Sequence, residues 1–190
     1  TKTIRKTRPD IYVDLSAVAK GYAVDILSQT LDQRGFPDHM VEIGGELRCR
    51  GINPDGKTWR IAIEKPETEK RAIQEVVELK DMAMATSGDY RNYYEKDGKR
   101  ISHTIDTRTG RPITHTLASV TVLDPSCARA DAWATALNVL GPQDGLQLAE
   151  KEKIAAFFLI RAENGQFEEK WTASFAKEHA KVKGGSGEQQ

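Results

Sequence analysis

In CARADAWATAL (127–137) Asp131 and Thr135 stand four positions apart. A helix through this stretch sets a carboxylate beside a hydroxyl on one face, with Asn138 just beyond. No charged residue falls from Ala132 to Gln143. Alanines at 128, 130, 132, 134 and 136 make the surface thin, so another backbone can approach closely. A carboxylate buried in such a place needs a cation or several hydrogen bonds. A carboxylate with a neutral hydroxyl oxygen is hard-ligand chemistry suited to Mg²⁺, which keeps waters and shares substrate phosphate oxygens. The same spacing also reads as a polar stripe facing water, although no Lys, Arg or Glu shares it after Arg129.

Four further stretches carry candidate chemistry. In DLSAVAKGYAVD (14–25) Lys20 and Gly21 follow a helix start, where free amides and a cation suit an anion. The Walker A spacing is absent, and Ser16 and Lys20 are one residue too far apart for a Ser-x-x-Lys pair. The alternative is a surface lysine on an amphipathic helix. EIGGELRCRG (42–51) holds Gly44-Gly45, which permits either a close backbone approach to a ligand or a plain tight turn. TSGDY (86–90) is a turn or a pocket lining. In SHTID (102–106) His103 shares a strand face with Ile101 and Ile105. It reads as a satisfied core histidine or as a general base. His39, His115 and His179 lack comparable company.

These residues need elements to position them. IYVDL (11–15) is β-branched and alternating, which predicts a strand, with Ser16 as N-cap of a helix stopping at Gly35. MVEIGGELRCRG (40–51) predicts two strands about the glycines, and WRIAIEKP (59–66) a third. Residues 72–90 predict an alternating strand broken at Ser87-Gly88, and 91–106 a hairpin turning at Asp97-Gly98. TRTGRP (107–112) reads as a turn and ASVTVLD (118–124) as a strand. Asp124 then serves as N-cap and Pro125 as first residue of a helix that Gly141-Pro142 ends. A second helix, the strand IAAFFLIRA (154–162) and a partner strand in GQFEEKWT (165–172) complete the pattern. Without a regular βαβ beat this is α+β, with mixed or antiparallel sheets and packed helices.

Bulk properties narrow the classes. The chain has 190 residues, 38% hydrophobic and 29% charged, with zero formal charge, which gives no basic surplus for nucleic acid. No apolar run reaches membrane-spanning length, and TKTIRKTRPD has no signal-peptide core. The missing initiator Met suggests a processed or truncated chain. Cys49 and Cys127 have no metal or redox spacing and read as two buried free thiols, with a pair in an oxidising compartment as the alternative. One core over 1–183 and a flexible tail at 184–190 are expected.

Taken together, VDLSAVAKGYAVD (13–25), EIGGELRCRG (42–51), WRIAIEKP (59–66), ATSGDYRNYYEKDGKRISHTIDTRTGRPI (85–113) and ASVTVLDPSCARADAWATALNVLGP (118–142) resemble the ApbE flavin transferases, in that family's order. The resemblance implies an ApbE-like (T-fold-like) architecture lacking its N-terminal part. It implies Mg²⁺-dependent transfer of the FMN half of FAD to a threonine or serine of an acceptor flavoprotein, with release of AMP. The expected acceptor is a flavin subunit of a membrane redox complex, and the expected location is the periplasm, with a lipid anchor upstream. By the same resemblance Asp131, Thr135 and the main-chain oxygen of Ala17 hold Mg²⁺. Asp14, Lys20 and Ile105 contact FAD. Gly44, Gly45, Thr86 and Ser87 lie near the flavin, and His103 takes the acceptor's proton. Thr107 stands where the family often has proline, which alters only the turn. Two rivals share these residues: an FAD pyrophosphatase giving FMN and AMP, and a non-catalytic flavin-binding module.

Overall fold

The computed structural model describes residues 3–185 apart from 67–71, 89–92, 97–98 and 103, with the backbone alone for 93–96, 99–102 and 180–185. Its centre is a six-stranded, wholly antiparallel sheet. In spatial order the strands are β1 (His39–Ile43), β2 (Glu46–Arg50), β5 (Met82–Gly88), β10 (Leu117–Asp124), β11 (Ala155–Arg161) and β12 (Phe167–Trp171). Three two-stranded ribbons flank it: β3 (Trp59–Glu64) with β4 (Ile73–Leu79), β6 (Tyr93–Lys96) with β7 (Lys99–Ser102), and β8 (Ile105–Asp106) with β9 (Arg111–Pro112).

Both sheet faces are covered, which explains why the inner strands read as continuous apolar runs. Along β11, Ala156, Phe158 and Ile160 face α2 (Cys127–Lys151), where Ala130, Ala134 and Leu137 meet Val120 and Val122. Ala155, Phe157 and Leu159 face the other way, onto Ile63, Val77 and Leu79 of the β3–β4 ribbon and Phe175 of α3 (Ala173–Gly185). Helix α1 (Ser16–Gln33) lies beside α2 and against β1 and β2. The α+β reading with antiparallel sheets therefore holds.

Several local expectations are corrected. Residues 11–15 form no strand, and Tyr12 is 85% exposed, because β propensity is realised only against a pairing partner. Leu15, not Ser16, is the N-cap of α1, and Ser16 instead donates its amide to Asp14 Oδ1 at 2.7 Å. The alternating stretch 72–90 is two strands in different sheets, parted at Lys80-Asp81, where Asp81 has φ 54°, rather than at Ser87-Gly88. Ser126, not Asp124, caps α2, its hydroxyl accepting from the Arg129 amide. Asp124 Oδ1 accepts the Ser126 amide at 2.8 Å. Gly141 breaks the helical path at φ 82°, and Pro142 opens the next segment, as the sequence indicated. Helix α3 was not foreseen. Its start is held by the buried Thr172, whose Oγ1 accepts the Phe175 amide at 3.2 Å and donates to the Ile154 carbonyl at 2.7 Å.

The Asp97-Gly98 turn lies outside the described residues, although β6 and β7 pair with Lys96 opposite Lys99. The tail expected from 184 falls there too, except for Gly184 and Gly185 at the end of α3. Both cysteines are free and buried, as expected.

Candidate metal and phosphate site

The site is built where α1 and α2 run against each other. A Cβ on Gly21 would fall 2.3 Å from the Cys127 carbonyl oxygen, so only glycine permits this approach. At the same contact the Gly21 amide donates to Asp131 Oδ2 at 3.0 Å. Gly21 sits four residues after Ala17, so this amide is the one a helix ordinarily gives to the Ala17 carbonyl. Asp131 Oδ2 is thereby held on the amide one helical turn after Ala17.

Asp131 is only 3% exposed and forms no ion pair among the described residues. Burial raises its pKa, and the Gly21 amide and the Lys20 charge pull it partly back. Thr135, one turn on, is half-buried, and its Oγ1 lies 3.3 Å from Ser87 Oγ of β5. Residues 86 and 87 point to opposite faces of β5. Ser87 therefore joins the α2 side, while Thr86 bonds Thr121 Oγ1 at 2.8 Å within the sheet.

Lys20 reaches from α1 to the β1–β2 turn. Ile43 pairs with Glu46, leaving Gly44 and Gly45 as a two-residue turn with φ of 60° and 101°. Positive φ at both positions is the type I′ requirement. A Cβ on Gly44 would lie 3.5 Å from Lys20 Cδ, so the lysine stem crosses the turn there. Its Nζ ends 2.6 Å from Glu46 Oε1. Glu46 is itself 3% exposed, and its Oε2 is buried with no hydrogen-bond partner among the described residues. Burial pushes the Glu46 pKa up; Lys20 opposes this and the charge of Asp131 adds to it.

Asp25, one turn after Gly21 on the same face of α1, is a third buried acid. Its carboxylate accepts from the Cys127 and Ala128 amides at 3.0 Å each, from Ser126 Oγ at 2.8 Å and from Arg48 Nη1 at 2.7 Å. It thereby caps the start of α2 from outside that helix. Neither Asp25 nor Glu46 was singled out from the sequence. Asp25 carried a signal: it follows Gly21 by one helical turn, on the face thin enough to touch α2. Glu46 carried none, because its partner is distant in the chain.

Other candidates sit apart from this cluster. Asp14 is exposed and turned onto Ser16, whose side-chain and backbone hydrogen bonds lower its pKa. Ile105 is 46% exposed on β8, which touches α2. His103 lies outside the described residues. The remaining histidines serve the scaffold. His39 bonds Ser28 Oγ and the Phe36 carbonyl, each at 2.8 Å. His115 donates from Nε2 to the Asn138 carbonyl at 2.8 Å, beside the Gly141 break. His179 stacks on Phe175.

Among the described residues no group of three or more His, Cys, Asp or Glu is placed to hold a metal. A cation here would rest on one carboxylate and neutral oxygens, a set that fits a hard divalent ion keeping several waters. Asp131, Thr135 and the Ala17 carbonyl are oxygens that could contribute to such a set. No helix among the described residues is long and apolar enough to cross a membrane.

Residues 1–158 match the ApbE family. An FAD:protein FMN transferase of Vibrio cholerae is 50% identical over 173 residues, 91% of this chain and 52% of that protein. One of Escherichia coli is 48% identical over 158 residues, 83% of this chain and 45% of its own length. Among solved structures, the flavin transferase ApbE from Vibrio cholerae superposes with a TM-score of 0.82 at 47% identity, covering 92% of this chain and 57% of that one. The apo flavinyl transferase ApbE of Pseudomonas stutzeri gives 0.78 at 50% identity, covering 88% and 51%. The chain thus spans about half the length of the curated relatives it matches.

Proposed function

The chain belongs to the ApbE family, and from that premise we propose that it carries the phosphate-handling core of an FAD:protein FMN transferase. The reaction moves the FMN half of FAD onto a threonine or serine hydroxyl of an acceptor flavoprotein. The acceptor oxygen attacks the FMN phosphorus, the bond from that phosphorus to the bridging oxygen breaks, and AMP leaves with the bridging oxygen. A base takes the hydroxyl proton, and His103 is assigned that role. General-base help of this kind is typically worth ~10²–10⁴-fold.

The single observation that carries the reading is the surroundings of Asp131. It is a buried acid, without an ion-pair partner among the described residues, set against the backbone of α1 where Ala17, Lys20 and Gly21 lie. Asp131, Thr135 and the Ala17 carbonyl would hold Mg²⁺. When bound, such an ion offsets charge on pyrophosphate oxygens. The protein's own contributions are separate. Lys20 presents an ammonium to a non-bridging oxygen, and the Gly44-Gly45 turn keeps the lysine's path free of side chains. Asp14 and Ile105 line the way to the rest of the dinucleotide, with Ser87 beside Thr135.

The acceptor class, a flavin subunit of a membrane redox complex, and a periplasmic location held by an upstream lipid anchor belong to the same proposal. The test is mass spectrometry of an acceptor peptide mixed with the protein, FAD and Mg²⁺. A mass gain equal to FMN less water supports transfer. Free FMN and AMP with an unmodified peptide support the pyrophosphatase, and bound FAD without turnover supports a binding module.

A further inference from the structure

Glu46 is an unusual neighbour for a phosphate site. Its Oε1 lies 2.6 Å from Lys20 Nζ, yet its Oε2 is buried without a hydrogen-bond partner among the described residues. Half of this carboxylate therefore faces no partner side chain among them. Burying a partly satisfied charge is costly, and a neutral glutamine would fill the same volume. Asp131 is near enough for its charge to act on Glu46, and Lys20 acts on both acids.

Counting formal charges, Glu46 and Asp131 contribute one negative charge each and Lys20 one positive, which leaves these three at minus one, and the neighbouring Asp25–Arg48 pair adds no net charge. A pyrophosphate arriving alone meets a repulsive field, whereas a divalent cation arriving alone meets an attractive one. We propose that Glu46 sets the order of loading, favouring the cation before the dinucleotide by drawing the one and repelling the other. This inference rests on the transferase reading above. In this role Glu46 is a positioning and charge-setting residue that touches neither the metal nor the reacting atoms. Lys20 remains able to bind phosphate, since an ammonium has three N–H donors and is about half exposed here.

The test uses Glu46→Gln and Lys20→Met beside the unaltered protein, at about pH 8, where carboxylates are ionised. Two affinities are measured: Mn²⁺ without nucleotide, by electron paramagnetic resonance, and FAD in excess chelator, by fluorescence. E46Q is expected to bind Mn²⁺ about tenfold more weakly and FAD about tenfold more tightly, as the removal of one nearby charge predicts. K20M is expected to give the opposite pair of signs. A structural role for Glu46 would weaken both ligands together, and a role in aiming Lys20 alone would weaken FAD and leave Mn²⁺ unmoved. Either result overturns the inference, as does an E46Q protein that matches the unaltered one in both. If the unaltered protein binds neither Mn²⁺ nor FAD, the transferase reading falls and this inference with it. Both variants are compared below their own melting temperatures, because K20M leaves the buried Glu46 without its ion partner and lowers stability as well.

Discussion

The Gly21 amide and Asp131 Oδ2 meet at 3.0 Å across the contact between α1 and α2. One turn along, the pairing repeats in the opposite sense, with Asp25 accepting the Cys127 amide at 3.0 Å. The two helices are therefore riveted antiparallel by two acids, one from each. Asp25 holds the start of α2 in place, and that placement delivers Asp131 to the backbone of α1. Architecture and candidate chemistry share one seam.

Gly21→Ala tests the seam directly. Its Cβ would lie 2.3 Å from the Cys127 carbonyl oxygen and 2.9 Å from the Ala128 Cα, both backbone atoms that cannot rotate aside. The helices must separate, at a cost of about 1–3 kcal/mol. Urea denaturation should show a lower midpoint with an unchanged slope. Affinity for divalent cations should fall in the folded protein, because Asp131 is drawn away from the Gly21 amide and the backbone of α1.

Asp131→Asn should stabilise the metal-free protein. Burial raises the Asp131 pKa, so the ionised acid costs stability once pH exceeds the unfolded value. That cost grows until pH passes the folded value and is constant beyond it. Asparagine keeps an oxygen for the Gly21 amide and carries no charge. In chelator at neutral pH the variant should be the more stable protein, with the higher urea midpoint. The gain should vanish below about pH 4. Added Mg²⁺ should raise the melting temperature of the unaltered protein and leave the variant unmoved, since only a species that binds the folded state stabilises it.

What the sequence disclosed follows from which forces act locally. Helical spacing made Asp131 and Thr135 neighbours, and paired glycines marked the β1–β2 turn, because both depend on nearby residues alone. Alternation could not show that 73–79 and 82–88 enter different sheets, since the parting depends on one residue, Asp81, at φ 54°. Asp124, Pro125 and Ser126 are three consecutive residues suited to a helix start, and only the hydrogen bonds distinguish the cap. Helix α3 is polar enough to read as a surface run. Its anchor is Thr172, whose hydroxyl answers to the distant Ile154. Glu46 escaped notice for the same reason, and Asp25 offered only its spacing from Gly21: Arg48, the α2 amides and Lys20 come to them through the fold.

The two thiols should be inert in the folded state. Burial pushes Cys49 up to about 12. Burial, with Asp25, Glu46 and Asp131 nearby, does the same for Cys127, also to about 12, against the opposing charge of Arg48. Thiolate is the reacting species, so at neutral pH almost none is present. A chromogenic disulfide reagent should titrate both cysteines after denaturation and neither at the outset under native conditions. Prompt native reaction of Cys127 would mean that the α1–α2 seam opens readily.

Asp25→Asn should be the most damaging of the conservative acid-to-amide changes at this seam. Burial raises the Asp25 pKa, but hydrogen bonds from Ala128, Cys127, Ser126 and Arg48 together lower it by more, so the net shift is downward. An acid with a depressed folded pKa contributes stability above its unfolded value, near pH 4, and that contribution is lost as pH falls through the lower folded value. Asparagine cannot serve four donors with one oxygen, and it leaves Arg48 without its carboxylate. The loss at neutral pH should be about 2–4 kcal/mol, in the range for removing one partner of a buried charge pair. The difference in stability between the two proteins, followed by urea denaturation from neutral pH downward, should hold steady to about pH 4 and then shrink. A difference that stays constant into strong acid would show that the acid caps α2 without being ionised. Arg48 would then need another explanation for its place 2.7 Å away.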